Sequence, residues 1–596
     1  MRTVTNFKTF CLIAGAFLSS HLLQAQSQPT GYYLDALRYS RTSITGSARM
    51  QSMGGVGVAL GGDISNAFTN PAGLGFNRKS EYHFAPSLYF ANTDASGNGV
   101  SGSESQTKFN FPLLGVIFSK AKGGPQTWKG GSFAIAYTRL NDFNGKTFYE
   151  GDGTNQTSMV DYFNETAQGL PLGFLEDEKQ FSSTIIGSLG YSAEFLRVTK
   201  PNASEDTPQS LYTLIFSSPD SRDGQVSTSG AQQEFSFAYG ANFGDRVYVG
   251  AKLGIQTFRY DKDQYNFEGR NGSGDLQQLN FSERFRTDGT GFNGSIGAIF
   301  RAHDYLRVGL VYTLPTYYNV TDIYSASLSA DYNNLNFDEQ AYFQFIVDSG
   351  VSDPPNPADG DPNVSINGER TAFHEAIETQ FNMRTPYKLA AGLTGFLGKR
   401  GLLSADFEYV AYNTAKLKKA EEYVSSFDQV FPLDVTGDNE ILSNEYRGVV
   451  NINIGTELRF GQWYARGGYA LKPDPRKKDL QTIKEFNFEW DQIENPDVPM
   501  VIERSTKSNA QFITFGGGFR NQRFFADLAI VVQSQPTYLV PYQLDVRFPN
   551  NFLDPNLDNY QQQLDRVGED TEIVIHPTIK VDESNIRAML SIGTYF

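Results

Sequence analysis

Fourteen stretches of this chain alternate apolar and polar residues with a period of two. Over 447–460, Val450, Ile452, Ile454, Leu458 and Phe460 share one face, while Asn451, Asn453, Gly455, Glu457 and Arg459 share the other. Successive side chains of a strand point to opposite sides, so each stretch is apolar on one face and wet on the other. The pattern recurs at about 80–91, 107–119, 131–143, 232–243, 247–260, 285–300, 304–314, 385–397, 403–412, 463–471, 509–519, 524–533 and 586–596. No segment after the N-terminal leader supplies the roughly 18 consecutive apolar residues of a membrane-crossing helix. In hydrocarbon the other arrangement that pairs every backbone amide is a closed barrel. The expected fold is all-β, a 14-stranded antiparallel transmembrane β-barrel.

The links between these stretches alternate in length. One rim carries links of 15, 88, 24, 70, 34, 37 and 52 residues, and the other carries links of 11, 3, 3, 5, 2 and 4. Long loops outside and short turns inside are the asymmetry of outer-membrane barrels, so 144–231, 315–384 and 534–585 are expected to be extracellular loops. Short helices are expected within them, one at Glu369–Gln380 carrying a solvated His374. The even strand number returns both ends of the barrel to the short-turn rim.

Composition agrees with many short strands: 47 Phe, 32 Tyr and 57 Gly in 596 residues favour strands and tight turns over helices. The net charge of −16 argues against nucleic acid as a partner. Residues 1–25 open with Arg2 and Lys8, run through an apolar stretch to Leu23 and end at Leu23-Gln24-Ala25, as a secretory signal peptide does. Its removal would take those two cations, carry the charge from −16 to −18, and take Cys11, the single cysteine. Disulfides, thiolate metal sites and cysteine chemistry then drop out.

The wet faces place Lys252, Asp406, Glu408, Glu457, Arg459, Arg466 and Asp527 in the lumen. A two-residue turn at Gly461-Gln462 opposes Phe460 to Trp463 and so Glu457 to Arg466, which predicts an ion pair there. Such pairs make buried charge tolerable, and that structural role is weighed above a part in transport. Between leader and barrel lie residues 26–79, expected to form an N-terminal hatch, with the barrel occupying 80–596. The glycine-rich run from Met53 to Asp63 lacks a following Gly-Lys-Ser/Thr and is no nucleotide loop; its glycines suit a tight course inside a confined lumen. Downstream, Asn70-Pro71-Ala72-Gly73-Leu74 joins a turn-forming Asn to a Pro that fixes the backbone and a permissive Gly.

This Asn-Pro-Ala-Gly-Leu run, after a glycine-rich segment and before fourteen strands ending in Phe596, resembles the long-chain fatty-acid transporter family of outer-membrane proteins, the FadL/TodX type. Asp35–Ser40 together with Gly54–Asp63 resembles its Bacteroidetes-like branch. The resemblance implies a barrel blocked by a hatch, with Asn70, Pro71, Ala72 and Gly73 as hatch motif. It also implies capture of small hydrophobic ligands outside and their release by hatch movement or through a gap in the wall. The expected function is passive uptake of hydrophobic or amphipathic compounds across the bacterial outer membrane, with membrane lipid around the barrel and no cofactor. The acidic link 315–384, with eleven acids and two bases, would not attract a fatty acid. The alternative is a PorV-like accessory of type IX secretion, binding a protein partner at the extracellular loops.

One further run bears on chemistry. Asp434, Thr436, Asp438, Glu440 and Glu445 have the oxygen spacing of a twelve-residue calcium loop, with Asn439 where that loop has Gly. An acidic turn is the other reading, so Ca2+ is an expectation to test. The histidines have no metal-ligand spacing, and no Gly-x-Ser-x-Gly marks a nucleophile, so the expectation is a non-enzyme.

Overall fold

The computed structural model describes residues 31–97, 99–122, 127–152, 158–167, 175, 185–198, 211–213, 219–270, 276–338, 363–419, 435–477, 508–539 and 579–596. The leader stretch and Asp434 lie outside them. Within them, eighteen strand segments form one antiparallel sheet, and four strands are each broken into two segments, leaving fourteen. In chain order these are β1 (Glu81–Gly97), β2 (Val100–Ala121), β3 (Trp128–Asp142, continued by Gly145–Asp152), β4 (Ser221–Phe243), β5 (Val247–Gly269) and β6 (Leu276–His303). Next come β7 (Leu306–Thr313, continued by Tyr317–Asp338), β8 (Asn363–Arg384, continued by Lys388–Phe396) and β9 (Gly401–Ala411, continued by Lys416–Lys419). The last five are β10 (Gly448–Phe460), β11 (Trp463–Lys472), β12 (Ala510–Arg520), β13 (Phe524–Leu539) and β14 (Ile579–Tyr595). Each pairs with its chain neighbours, and β1 pairs with β14 from Glu81↔Tyr595 to Ser96↔Lys580, closing the barrel.

The outer surface shows why this barrel sits in lipid. On the outward face of β5 and β6, five successive cross-strand rungs are apolar or small, from Val247↔Phe300 to Ile255↔Phe292. Leu253 and Phe292 are 71% and 63% exposed there, an arrangement costly in water and favourable against acyl chains. Those nine residues of tilted strand cover about 20 Å of height, close to the apolar band of such barrels. Above Thr257↔Thr290 the same face changes to Arg259↔Asp288, Asp261↔Arg286 and Asp263↔Arg284, with ion-pair distances of 2.7, 3.9 and 3.3 Å. No helix among the described residues is long and apolar enough to cross a membrane.

The long-loop rim differs from expectation in one respect. Much of what the pattern assigns to loops is ladder: β1 and β2 stay paired up to Gly97↔Val100, and β7 and β8 up to Asp338↔Asn363. Glu369–Gln380 is accordingly strand, not helix, and His374 is a buried residue of β8 opposite Ala326. Above the lipid the outward residues become polar, so the apolar alternation stops while backbone pairing continues. Helices do occur on this rim, α3 (Met159–Ala167), α4 (Ile185–Ser192) and α5 (Thr436–Asn444). The preceding helices α1 (Tyr33–Ser40) and α2 (Ala48–Gln51) belong to the N-terminal segment inside the barrel.

Candidate functional site: two cavities in the barrel lumen

Residues 46–77 sit against the barrel wall on several sides. Asn70 caps the 3-10 helix Pro71–Phe76 by accepting from the Ala72 amide at 3.1 Å, and its Nδ2 donates to the carbonyls of Val58 (2.7 Å), Leu310 (3.3 Å) and Ala298 (3.4 Å). The turn-forming Asn thus orders its own helix and fastens it to β6 and β7. Wall glycines admit the plug backbone at contact distance. A Cβ at Gly455 would fall 2.1 Å from the Met53 carbonyl oxygen, and one at Gly309 2.1 Å from that of Val58. Any side chain at these positions would push the plug off the wall.

Charge completes the attachment. Arg49 of α2 reaches Glu457 of β10 at 2.9 and 3.2 Å, and Glu457 also binds Arg466 of β11 at 2.7 Å, its cross-strand partner. Arg466 then contacts Asp527 at 2.7 Å, which binds Arg520 at 2.7 Å. Truncating one member of such a buried chain leaves a charge without compensation, at a cost of about 3–5 kcal/mol. On the neighbouring strand β9, Asp406 accepts from the amides of Gly57 (2.6 Å) and Val58 (2.9 Å).

Above this base, Arg41–Thr45 crosses the lumen as a strap held mainly by polar contacts, with the Ser43 amide also bonded to the Leu140 carbonyl at 3.1 Å and Ile44 buried against Ala470, Phe512 and Val531. Asn141 brackets it, donating to the Arg41 carbonyl (2.6 Å) and accepting from the Ser43 amide (2.9 Å). Lys472 donates to the carbonyls of Thr42 and Ser43, and Arg587 to that of Ile44 at 3.1 Å. Arg41 pairs with Asp474 at 3.3 Å in the loop after β11. Burial pushes the Asp474 carboxyl up, but the Arg476 hydrogen bonds, the Arg476 and Arg41 charges and the Ser508 amide together outweigh it and hold it below the ordinary carboxylate range.

The strap separates two cavities. On the long-loop side lies a chamber of about 1170 Å3 lined by aromatic rings such as Tyr89, Phe143, Tyr260 and Phe512 among amides and charged groups. Helix α1 borders it, clamped by Tyr39 stacked on Phe258 at 3.8 Å and by Arg38 over the Tyr260 ring at 4.2 Å. On the plug side lies a smaller cavity of about 160 Å3. Thr42, Ser43, Lys388, Asn451 and Lys472 line both. The smaller cavity also reaches the wall where β7 and β8 break, at Leu314, Thr316, Thr385 and Pro386.

Of the charged residues expected in the lumen, Asp406, Glu457, Arg466 and Asp527 grip the plug or each other as described. Lys252 pairs with Glu234 at 2.7 Å, and Glu408 accepts from Asn451 at 2.9 Å. Arg459 has the lumenal parity but lies exposed at the short-turn rim, where its guanidinium donates to the Gly461 carbonyl. Sequence reasoning passed over Glu234, although it alternates with outward Phe235 and Phe237 and was legible by parity. It also passed over Arg49, for which no local pattern exists. The calcium expectation meets a different geometry: Thr436–Asn444 is helix α5, whose side chains radiate around an axis instead of enclosing a centre. There Asp438 accepts from the Tyr33 amide at 2.9 Å, and Asn439 bonds both backbone groups of Leu417.

The arrangement is that of a membrane barrel with its own N-terminal segment packed inside against the wall, below a wide chamber. No family model and no curated protein matches the chain. Among solved structures, it is similar to a Pseudomonas aeruginosa FadL homologue (11% identity, 93% of this chain and 99% of that one, TM-score 0.46). It is likewise similar to the Ralstonia pickettii toluene transporter TbuX (14%, 93% and 99%, 0.44) and the Pseudomonas putida toluene transporter TodX (12%, 94% and 100%, 0.41). The barrel assignment rests on the strand pairing, not on these similarities.

Proposed function

We propose that the protein is an outer-membrane channel for passive uptake of small hydrophobic or amphipathic compounds, its long-loop rim facing outward and its N-terminal segment acting as the gate. The observation that carries this reading is the strap between the two cavities: a large aromatic chamber open to ligand stands directly above a plugged lumen, divided by a segment held mainly through replaceable polar contacts. A compound collected in the chamber shifts the strap only if it binds the displaced state better than the closed one. From the inner cavity, the break in β7 and β8 offers a way out through the wall. The Asn70–Leu74 motif and the fourteen-strand count support the FadL/TodX-type reading. Proteoliposomes carrying the barrel should take up an eight-carbon amphiphile faster than protein-free vesicles; equal rates would remove the proposal.

One observation favours the secretion-accessory alternative: β4 to β8 rise well above the apolar band and carry α3 and α4, a surface large enough for a protein. A stoichiometric protein partner on the purified barrel, with secretion lost on its deletion, would move the assignment there.

A further inference from the structure

The inner cavity is chemically unlike a hydrocarbon slot. Its charged side chains are three acids, Glu234, Asp406 and Glu408, and three bases, Lys252, Lys388 and Lys472. Lys252 is engaged by Glu234, Lys472 by the strap carbonyls, and Glu408 lies in the field of both Lys388 and Lys472. A carboxylate arriving here would meet a balanced set and bring one buried charge too many.

The acceptors, by contrast, are undersupplied. Asp406 gives its Oδ2 to two plug amides, while its Oδ1 is buried with no hydrogen-bond partner among the described residues. The side-chain oxygens of Asn453 and Asn293 are also buried and unpartnered, and all three residues line the cavity. Asp406 and Asn453 face each other across β9 and β10. Buried acceptors without donors are costly, and a ligand that brings donors recovers that cost. A space of about 160 Å3 admits a head group of a few heavy atoms, on the order of five waters in bulk.

We propose that this cavity is a head-group site for neutral amphiphiles carrying hydroxyl or amide donors, such as a glyceryl or sugar head, and that it selects against fatty carboxylates. The inference rests on the channel reading and narrows its substrate class. Hydroxyls supply the donors that Asp406 and Asn453 lack and accept in turn from the amide nitrogens, with no net charge added.

The test uses the purified full-length barrel and three probes sharing an eight-carbon chain: monooctanoylglycerol, octanoate above its pKa, and octane. Calorimetric titration should show monooctanoylglycerol binding about tenfold tighter than octanoate, the worth of one net hydrogen bond. Asn453→Leu, which removes an acceptor without touching a plug contact, should erase that advantage and leave octane unaffected; Asp406→Asn should weaken it. Equal or tighter octanoate binding, or an unchanged preference in Asn453→Leu, overturns the head-group site. If octanoate or octane enters proteoliposomes while the glyceride has no advantage, the channel reading stands and this inference falls. If none of the three binds or enters, both fall.

Discussion

Two parts of the N-terminal segment touch the same barrel in different ways. The base, 46–77, is held by wall glycines that leave no room for a side chain, by buried ion pairs through Arg49, and by the Asn70 and Asp406 contacts. The strap, 41–45, is held mostly by side-chain hydrogen bonds, two each from Asn141 and Lys472 and one from Arg587, with one ion pair to Asp474, one backbone bond from Ser43 to the Leu140 carbonyl, and Ile44 packed on Phe512 and Val531. Backbone packed against backbone has nothing to exchange with, whereas a hydrogen bond to an amide or lysine can be traded for one to water or ligand. In the proposed channel, that contrast would give closure to the base and gating to the strap.

The contrast can be broken most severely at the base. Glu457→Ala leaves Arg49 and Arg466 buried beside fewer acids and should cost about 3–5 kcal/mol in a urea titration of the folded barrel. A loss under about 1 kcal/mol, the range of an exposed pair, would mean the chain of ions is hydrated and the base is not locked. Gly455→Val should destabilise by about 1–3 kcal/mol and raise planar-bilayer conductance as Met53 is displaced. A silent, stable variant would show that the plug does not seat on that wall. Asn70→Ala should cost about 1 kcal/mol and speed hydrogen exchange at Ala72 and its neighbours in the short helix.

At the strap the effects should be smaller and tied to pH. Asp474 is held below its ordinary pKa by Arg476 and Arg41, so its contribution is full above the unfolded carboxylate value of about 4 and is lost as pH falls through the lower folded value. Acidification through that window should loosen Arg41–Thr45 before the base, visible as faster exchange at Ser43; simultaneous loosening of both would contradict the division. Calcium belongs at the end of the scale. A site over Asp434–Glu445 would require α5 to unwind, so calcium titration should leave the melting temperature unchanged, and a calcium-dependent rise abolished by Glu445→Ala would restore that site.

The same division separates what the sequence could show from what it could not. Strand alternation made the fourteen membrane-crossing segments legible, because lipid outside and plug inside impose opposite demands on alternate residues. The two-residue turn at Gly461-Gln462 set the register that brings Glu457 opposite Arg466. Above the lipid that demand ends. The ladder of β7 and β8 therefore read as a loop with a helix, and His374 as solvated. The partners of Arg49, Asp406 and Asn141 lie some hundred or more residues away, with no local pattern to announce them. Asn70 read as a turn former from its neighbours, but its bonds to Ala298 and Leu310 depend on barrel closure.

The gating role of the strap can be tested directly because the chain has a single cysteine, Cys11, in the leader stretch. Ser43→Cys with Asn141→Cys would tie the strap to β3 at a place where side chain and backbone already meet at 2.9 Å. Flux of an eight-carbon amphiphile into proteoliposomes should stop under oxidising conditions and resume on reduction, at or above the wild-type rate because the two Asn141 bonds to the strap are gone. Equal flux in the oxidised and reduced forms would show that the compound passes without moving the strap, and the account of the gate would be wrong.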